Sequence, residues 1–148
     1  MESLHWLDAH YAAMPPVAAM RLSPARFAGD ALELNAPLAS HVNDKGCAFG
    51  GSLVSLMTLA GWGLVTLRLR EAGIEADVFV ADTQVRYLAP LYADLQATAR
   101  VAEHHAWPDA IARLRAAGRV SVPVQARVAL PDGGDAARAD ARFVAVAR

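Results

Sequence analysis

Cysteine is almost absent. Cys47 is the only one in 148 residues, which excludes a disulfide framework and any Cys-rich zinc site. Lysine is equally scarce, with Lys45 alone against thirteen arginines. Excess charge is lacking too. Fourteen basic and 15 acidic residues leave a formal net charge of −1, too little for bulk attraction to nucleic acid or an anionic lipid surface. The first ten residues hold Glu2 and Asp8 and no basic stretch, so they do not read as a secretory signal. No linker, repeat or low-complexity tract breaks the chain. The expectation is one cytoplasmic domain over 1–148, with residues 1–16 as an appended N-terminal helix.

What is present is apolar. Hydrophobic residues make up 55% and charged residues 20%, which excludes a disordered chain. From Gly46 to Leu67 there is no charge at all. Such a run is long enough to span a bilayer. It is, however, broken by five glycines and four hydroxyl residues, and the segments after it read as sheet in need of an apolar object to wrap. The better reading is a helix buried on nearly all sides within the domain, and no membrane partner is expected.

The rest of the pattern supports this. Ser3 to Met14 reads as an amphipathic helix with Leu4, Trp6, Leu7 and Tyr11 apolar, ended by Pro15 and Pro16. Arg26 to Leu34 reads as a strand or hairpin around Gly29-Asp30, and Ala36 to Gly46 as a loop. The long helix is placed from about Ala48 to Glu71, stopping at Gly73. Val78 to Leu88 alternates, with Phe79, Ala81, Thr83, Val85 and Tyr87 on one face and Asp82, Gln84 and Arg86 on the other. Leu95 to Val101, Val120 to Leu130 and Ala139 to Val146 alternate likewise. Pro108 to Ala117 reads as a short helix ending at Gly118. The fold class is therefore α+β, a long helix wrapped by a curved antiparallel sheet. Its uncovered helix face and sheet edge are natural dimer surfaces.

The segment from His41 to Ser52 carries the most chemistry. A polar loop runs into Gly50-Gly51 at a helix start, where the first amides have no intrahelical partner and stand at the positive end of the dipole. Such a terminus holds an anion or a developing oxyanion. Asn43 adds a neutral donor. An ordinary capped helix, close-packed at its glycines, explains the same residues equally well. Ser52, Ser55 and Thr58, at steps of three, share one side of the helix. Their hydroxyls either face a substrate or bond back to the preceding turn. Cys47 reads as a small buried residue, with His41 as a candidate neighbour. Adjacent His104 and His105 point to opposite sides of a strand and make no metal pair. Asp82 is either a base offered across a dimer interface or an ordinary charge on a solvated strand face. Arg113, Arg115 and Arg119 form a basic cluster, either solvated or suited to an acidic partner.

The run Asn43-Asp44-Lys45-Gly46, the run Phe49-Gly50-Gly51-Ser52-Leu53, then Leu59-Ala60-Gly61-Trp62-Gly63 and Val85-Arg86-Tyr87-Leu88-Ala89-Pro90 together resemble the YiiD C-terminal domain family of hotdog-fold thioesterases. That resemblance covers the chain from about Leu22 onward. It implies a homodimer or larger assembly, thioester substrates of acyl carrier protein or coenzyme A, no cofactor and no metal. Sites lie between subunits, with Asn43, Thr58, Ser52 and Gly51 as candidate catalytic residues. Gly50, Phe49, Ser55, Tyr87 and Asp82 are candidate substrate-binding residues, and the three arginines a candidate carrier-docking cluster.

Many hotdog thioesterases place an Asp or Glu two turns into the helix. Here that position falls on or near Thr58, and no carboxylate occurs between Asp44 and Glu71. Hydrolysis then lacks the roughly 10²–10⁴-fold of a positioned base. The resemblance also implies decarboxylation of a malonyl thioester, since the family includes malonyl-carrier decarboxylases; that reaction needs no base, only donors for the enolate oxygen. The expectation is malonyl-carrier decarboxylation to the acetyl form, feeding initiation of fatty-acid synthesis. Thioester hydrolysis, with water activated by Asn43, Asp44 or Asp82, is the alternative. A dimer that binds acyl thioesters without turning them over is the third reading.

Overall fold

The apolar run forms the helix around which everything else is built. In the computed structural model, which describes residues 2–148, the chain runs α1 (Glu2–Ala12), α2 (Pro15–Ala18), β1 (Ser23–Ala28), β2 (Ala31–Ala36), α3 (Gly50–Glu71), β3 (Ala76–Tyr87), β4 (Leu95–Val101), α4 (Trp107–Ala117), β5 (Arg119–Ala129) and β6 (Asp135–Ala147). A 3-10 turn, Leu38–Ser40, lies in the loop before α3. The six strands form one antiparallel sheet in the order β1-β2-β4-β5-β6-β3. Helix α3 packs on β2 through β6, the wrapped helix that the sequence patterns predict and the hotdog arrangement that the resemblance implies. It is long and apolar enough to cross a membrane, but 61% of its most apolar window is buried inside the domain.

Two glycines set how closely α3 can be approached. A Cβ on Gly61 would stand 2.6 Å from the buried ring of Phe143 on β6. One on Gly63 would stand 2.5 Å from the Tyr11 hydroxyl of α1. The N-terminal helix is thus built into the core. Leu7 and Tyr11 are buried, and Tyr11 Oη donates to Leu59 O at 2.7 Å. Burial pushes that phenol far above its ordinary pKa.

Several local details differ from the sequence reading. Pro15 and Pro16 end α1, yet they also open the single turn α2, since proline suits a first helical turn. Helix α3 begins at Gly50, because the amides of Ala48 and Phe49 are tied to Leu91 O (2.8 Å) and His41 O (2.7 Å). The region Arg26 to Leu34 is a hairpin of two strands, turning at Gly29 with φ +60°. On β3 the strict alternation fails. A bulge between Val80 and Asp82 adds one residue and flips the phase. Val78 therefore stands beside Ala145 on the core side, while Phe79 and Val80 are 58% and 46% exposed. His104 and His105 lie in a turn after β4, so their side chains do not alternate across a strand. His104 is exposed, and His105 meets the Trp107 ring edge-on. Among the described residues, no three His, Cys, Asp or Glu side chains gather where a metal ion would bind.

Candidate functional site

The loop ahead of α3 is pinned by its own polar side chains. Asn43 N donates to Cys47 O at 2.8 Å, and Gly46 adopts φ +83°, a left-handed conformation that favours glycine. Asn43 Oδ1 accepts from Lys45 N (2.8 Å) and Cys47 N (3.1 Å), which fixes the orientation of the amide. One Nδ2 hydrogen points to Cys47 Sγ at 3.3 Å. The other leaves Asn43 one further donor. Cys47 is buried in this loop. Asp44 and Lys45 pair with each other at the exposed tip.

At the helix start, Ser52 N and Leu53 N both donate to Phe49 O. The amides of Gly50 and Gly51 precede them and have no intrahelical acceptor. Both glycines are also crowded. A Cβ on Gly51 would meet the Phe49 ring at 2.5 Å, and one on Gly50 the Tyr87 ring at 3.4 Å. Tyr87 Oη donates to Gly50 O at 3.0 Å. Phe49 and Tyr87 are more than half exposed, so two aromatic rings flank the free amides. With Val42, Leu88 and Tyr92 they make this end of the molecule the largest concentration of exposed apolar side chains.

Thr58 lies on the part of α3 that the sheet leaves open. Gly51, Ser55, Thr58 and Trp62 fall at i, i+4, i+7 and i+11, one stripe of the helix. None of the four is fully buried. Ser52 does not join them. Its Oγ lies 2.8 Å from Nδ1 of buried His41, whose Nε2 is 2.7 Å from Met20 O. This pair is the main feature that sequence reasoning missed. His41 is eleven residues from Ser52 and lies outside the helix, and the chain reversal that joins them is built by the Asn43 loop.

The remaining candidates lie elsewhere. Asp82 is exposed and held by Arg142 at 2.7 Å. Arg113, Arg115 and Arg119 are exposed around α4, and Arg115 Nη2 donates to Ala72 O at the far end of α3. The 22 residues of α3 at ~1.5 Å each separate that end from Gly50 by about 33 Å.

The arrangement offers two amide donors, an amide side chain, a hydroxyl stripe and a Ser–His pair, with no carboxylate on the helix before Glu71. A family model described as a putative thioesterase, the YiiD C-terminal domain, matches residues 7–147. A solved structure of a putative thioesterase from Shewanella oneidensis is similar, with 28% identity, 98% of each chain covered and a TM-score of 0.87. A protein of unknown function from Chlorobaculum tepidum shares the fold, with 23% identity, a TM-score of 0.88, and 99% of this chain and 93% of that one covered. So does thioesterase HI1161 from Haemophilus influenzae, with 17% identity, a TM-score of 0.77, and 97% and 90% covered. With the family match spanning nearly all of its length, the chain belongs to the YiiD C-terminal family of putative thioesterases and has the hotdog fold.

Proposed function

We propose that this protein decarboxylates malonyl thioesters of acyl carrier protein, working as a homodimer with its sites between subunits. The observation that carries the reading is the open stripe of α3, which bears hydroxyls and no carboxylate from Gly50 to Arg70. A fixed carboxylate ~4 Å from the substrate's own would cost on the order of 4 kcal/mol at an effective dielectric of 20. Its absence suits a substrate that is itself an anion.

Distances then point to a shared site. Thr58 lies seven residues past Gly51, about 10.5 Å along the helix axis. A three-carbon malonyl group spans that gap only with a fully extended hydrogen bond at each end. The free amides of one protomer and Thr58 of the other would instead meet across the two-fold. Strand β3 supports such pairing, because it is a 12-residue edge carrying exposed Phe79, Val80 and Tyr87. In this reading Gly50, Gly51 and the spare Asn43 hydrogen hold the thioester oxygen as the enolate forms. Thr58 and Ser55 orient the departing carboxylate, and Phe49 and Tyr87 line the acyl entrance. Arg113 and Arg119 remain available to an acidic carrier.

A second reading, acyl-thioester hydrolysis, is favoured by the His41–Ser52 contact, since a hydroxyl beside an imidazole is the arrangement of an activated nucleophile. The solved relative named a putative thioesterase points the same way. Incubation with malonyl-carrier and acyl-carrier substrates, followed by mass spectrometry, separates the two. Conversion of malonyl-carrier to acetyl-carrier is the expected result. Release of free acid with malonyl-carrier left intact would replace the first reading by the second.

A further inference from the structure

Loss of CO₂ is only half of the proposed reaction. The enolate left behind must take a proton on its α-carbon to become the acetyl thioester, and the open stripe of α3 holds no acid to supply one. Three proton-bearing side chains surround the helix start: Tyr87, Cys47 and Ser52. Tyr87 already donates its hydroxyl hydrogen to Gly50 O. Cys47 is buried in the loop beneath. Ser52 alone connects to a titratable group, through its 2.8 Å contact with His41 Nδ1.

The surroundings of His41 make it suited to a relay. Met20 O can only accept, so Nε2 carries hydrogen whatever the charge of the ring. The Nδ1 contact also survives either state. A neutral ring accepts the Ser52 proton, and an imidazolium donates to Ser52 Oγ. His41 can thus gain or release a proton without breaking either hydrogen bond or moving its ring. Ser52 directly follows Gly51, whose amide is assigned to the enolate oxygen, and so stands on the same first turn as that oxygen's donors.

We propose that Ser52 delivers the proton to the enolate carbon and that His41 resupplies it. This rests on the decarboxylation reading. The bond between the α-carbon and the carboxylate breaks, CO₂ leaves, and its electron pair spreads onto the α-carbon and thioester oxygen. A C–H bond then forms as the Ser52 O–H bond breaks, while the Nδ1 proton of the His41 imidazolium passes to Ser52 Oγ. His41 ends neutral, still donating Nε2–H to Met20 O, and one solvent proton restores it for the next turnover. Ser52 is the catalytic donor, and His41 acts through it.

The test measures how the enolate partitions. Wild type, Ser52→Ala and His41→Gln are incubated with malonyl-carrier and excess ¹³CO₂, and both acetyl formation and ¹³C entering the malonyl carboxylate are followed by mass spectrometry. If protonation is fast, the enolate does not last long enough to recapture CO₂, and wild type returns little label. Ser52→Ala and His41→Gln are expected to form acetyl-carrier about 10²-fold more slowly while returning ¹³C to malonyl-carrier. Alanine is the best helix former, so Ser52→Ala decides the matter even if His41→Gln fails to fold. Slower turnover without label return places the loss at or before C–C cleavage and overturns the relay. Unchanged rates overturn it as well. Wild type that releases no CO₂ removes the decarboxylation reading itself, an outcome distinct from wild type that decarboxylates beside variants with its own partition ratio.

Discussion

The shared site can be tested by complementation between two inactive variants. The first is Gly50→Pro. Phe49 has φ −65° and ψ 132°, the extended conformation a residue before proline requires, and Gly50 is the first helical residue, where proline is well tolerated. A Cβ there meets the Tyr87 ring at an ordinary 3.4 Å. The substitution therefore removes one amide donor while leaving the helix intact, and turnover should fall roughly 10²–10³-fold. The second is Thr58→Glu, which places a like charge ~4 Å from the malonyl carboxylate, a penalty on the order of 4 kcal/mol, or about 10³-fold. If the amides and Thr58 come from different protomers, a mixed dimer holds one doubly damaged site and one intact site. Equal mixing with free exchange makes half of the dimers mixed, so activity should return to about a quarter of wild type. The assay is acetyl-carrier formation after the two proteins are co-refolded, with each variant refolded alone as its baseline. A mixture no more active than its components would refute the cross-subunit geometry.

Asn43→Ala should reduce turnover by roughly 10²–10³-fold and also lower stability by about 1–3 kcal/mol, because it strips the acceptor from two loop amides. Asn43→Asp keeps that acceptor but exchanges the donor for a negative charge, so recovery of melting temperature without recovery of rate separates the loop's structural role from the amide's functional one. Val80→Lys, on the exposed edge of β3, should shift sedimentation toward the 15.7 kDa monomer and abolish turnover together; a monomeric but fully active variant would exclude the shared site. Asp135 gives a pH test. Burial pushes its carboxyl up, but hydrogen bonds and charge from Arg138 and Arg127 outweigh that and leave its pKa below the ordinary value. Its stabilisation is complete above the unfolded value of roughly 4 and is lost as pH falls through the lower folded value. Asp135→Asn should therefore destabilise the protein at neutral pH and flatten its acid unfolding curve, as followed by thermal melts from pH 2 to 7.

Much of this architecture is legible in the residues. Alternation marks β4, β5 and β6, and a 22-residue charge-free stretch can only be an enclosed helix once the flanking segments read as sheet. What escapes is set by contacts remote in sequence. The bulge near Ala81 leaves no mark in composition, and its effect on the phase of the strand appears only in the register with β6. Ser52 seemed to belong with Ser55 and Thr58 because spacing by three was the only information available. A histidine across the loop ties its hydroxyl instead. Asn43 was readable as a donor at the right place, but the two amides that hold its oxygen were not. The arginine cluster was readable as basic, but its place beside the C-terminal end of α3, where Arg115 meets Ala72 O, was not.

The strand order has a consequence for how the protein is made. Strand β3 is complete by Tyr87, but its only neighbour within the chain is β6, and Ala76 pairs with Ala147. Until the last strand leaves the ribosome, β3 has nothing to pair with on either side. The apolar helix before it can meet β2 and β4 but must wait for β5 and β6 to close over the rest. Nascent chains stalled before Asp135 should therefore be incompletely folded and dependent on holding chaperones. Contacts this distant in sequence also make for slow folding.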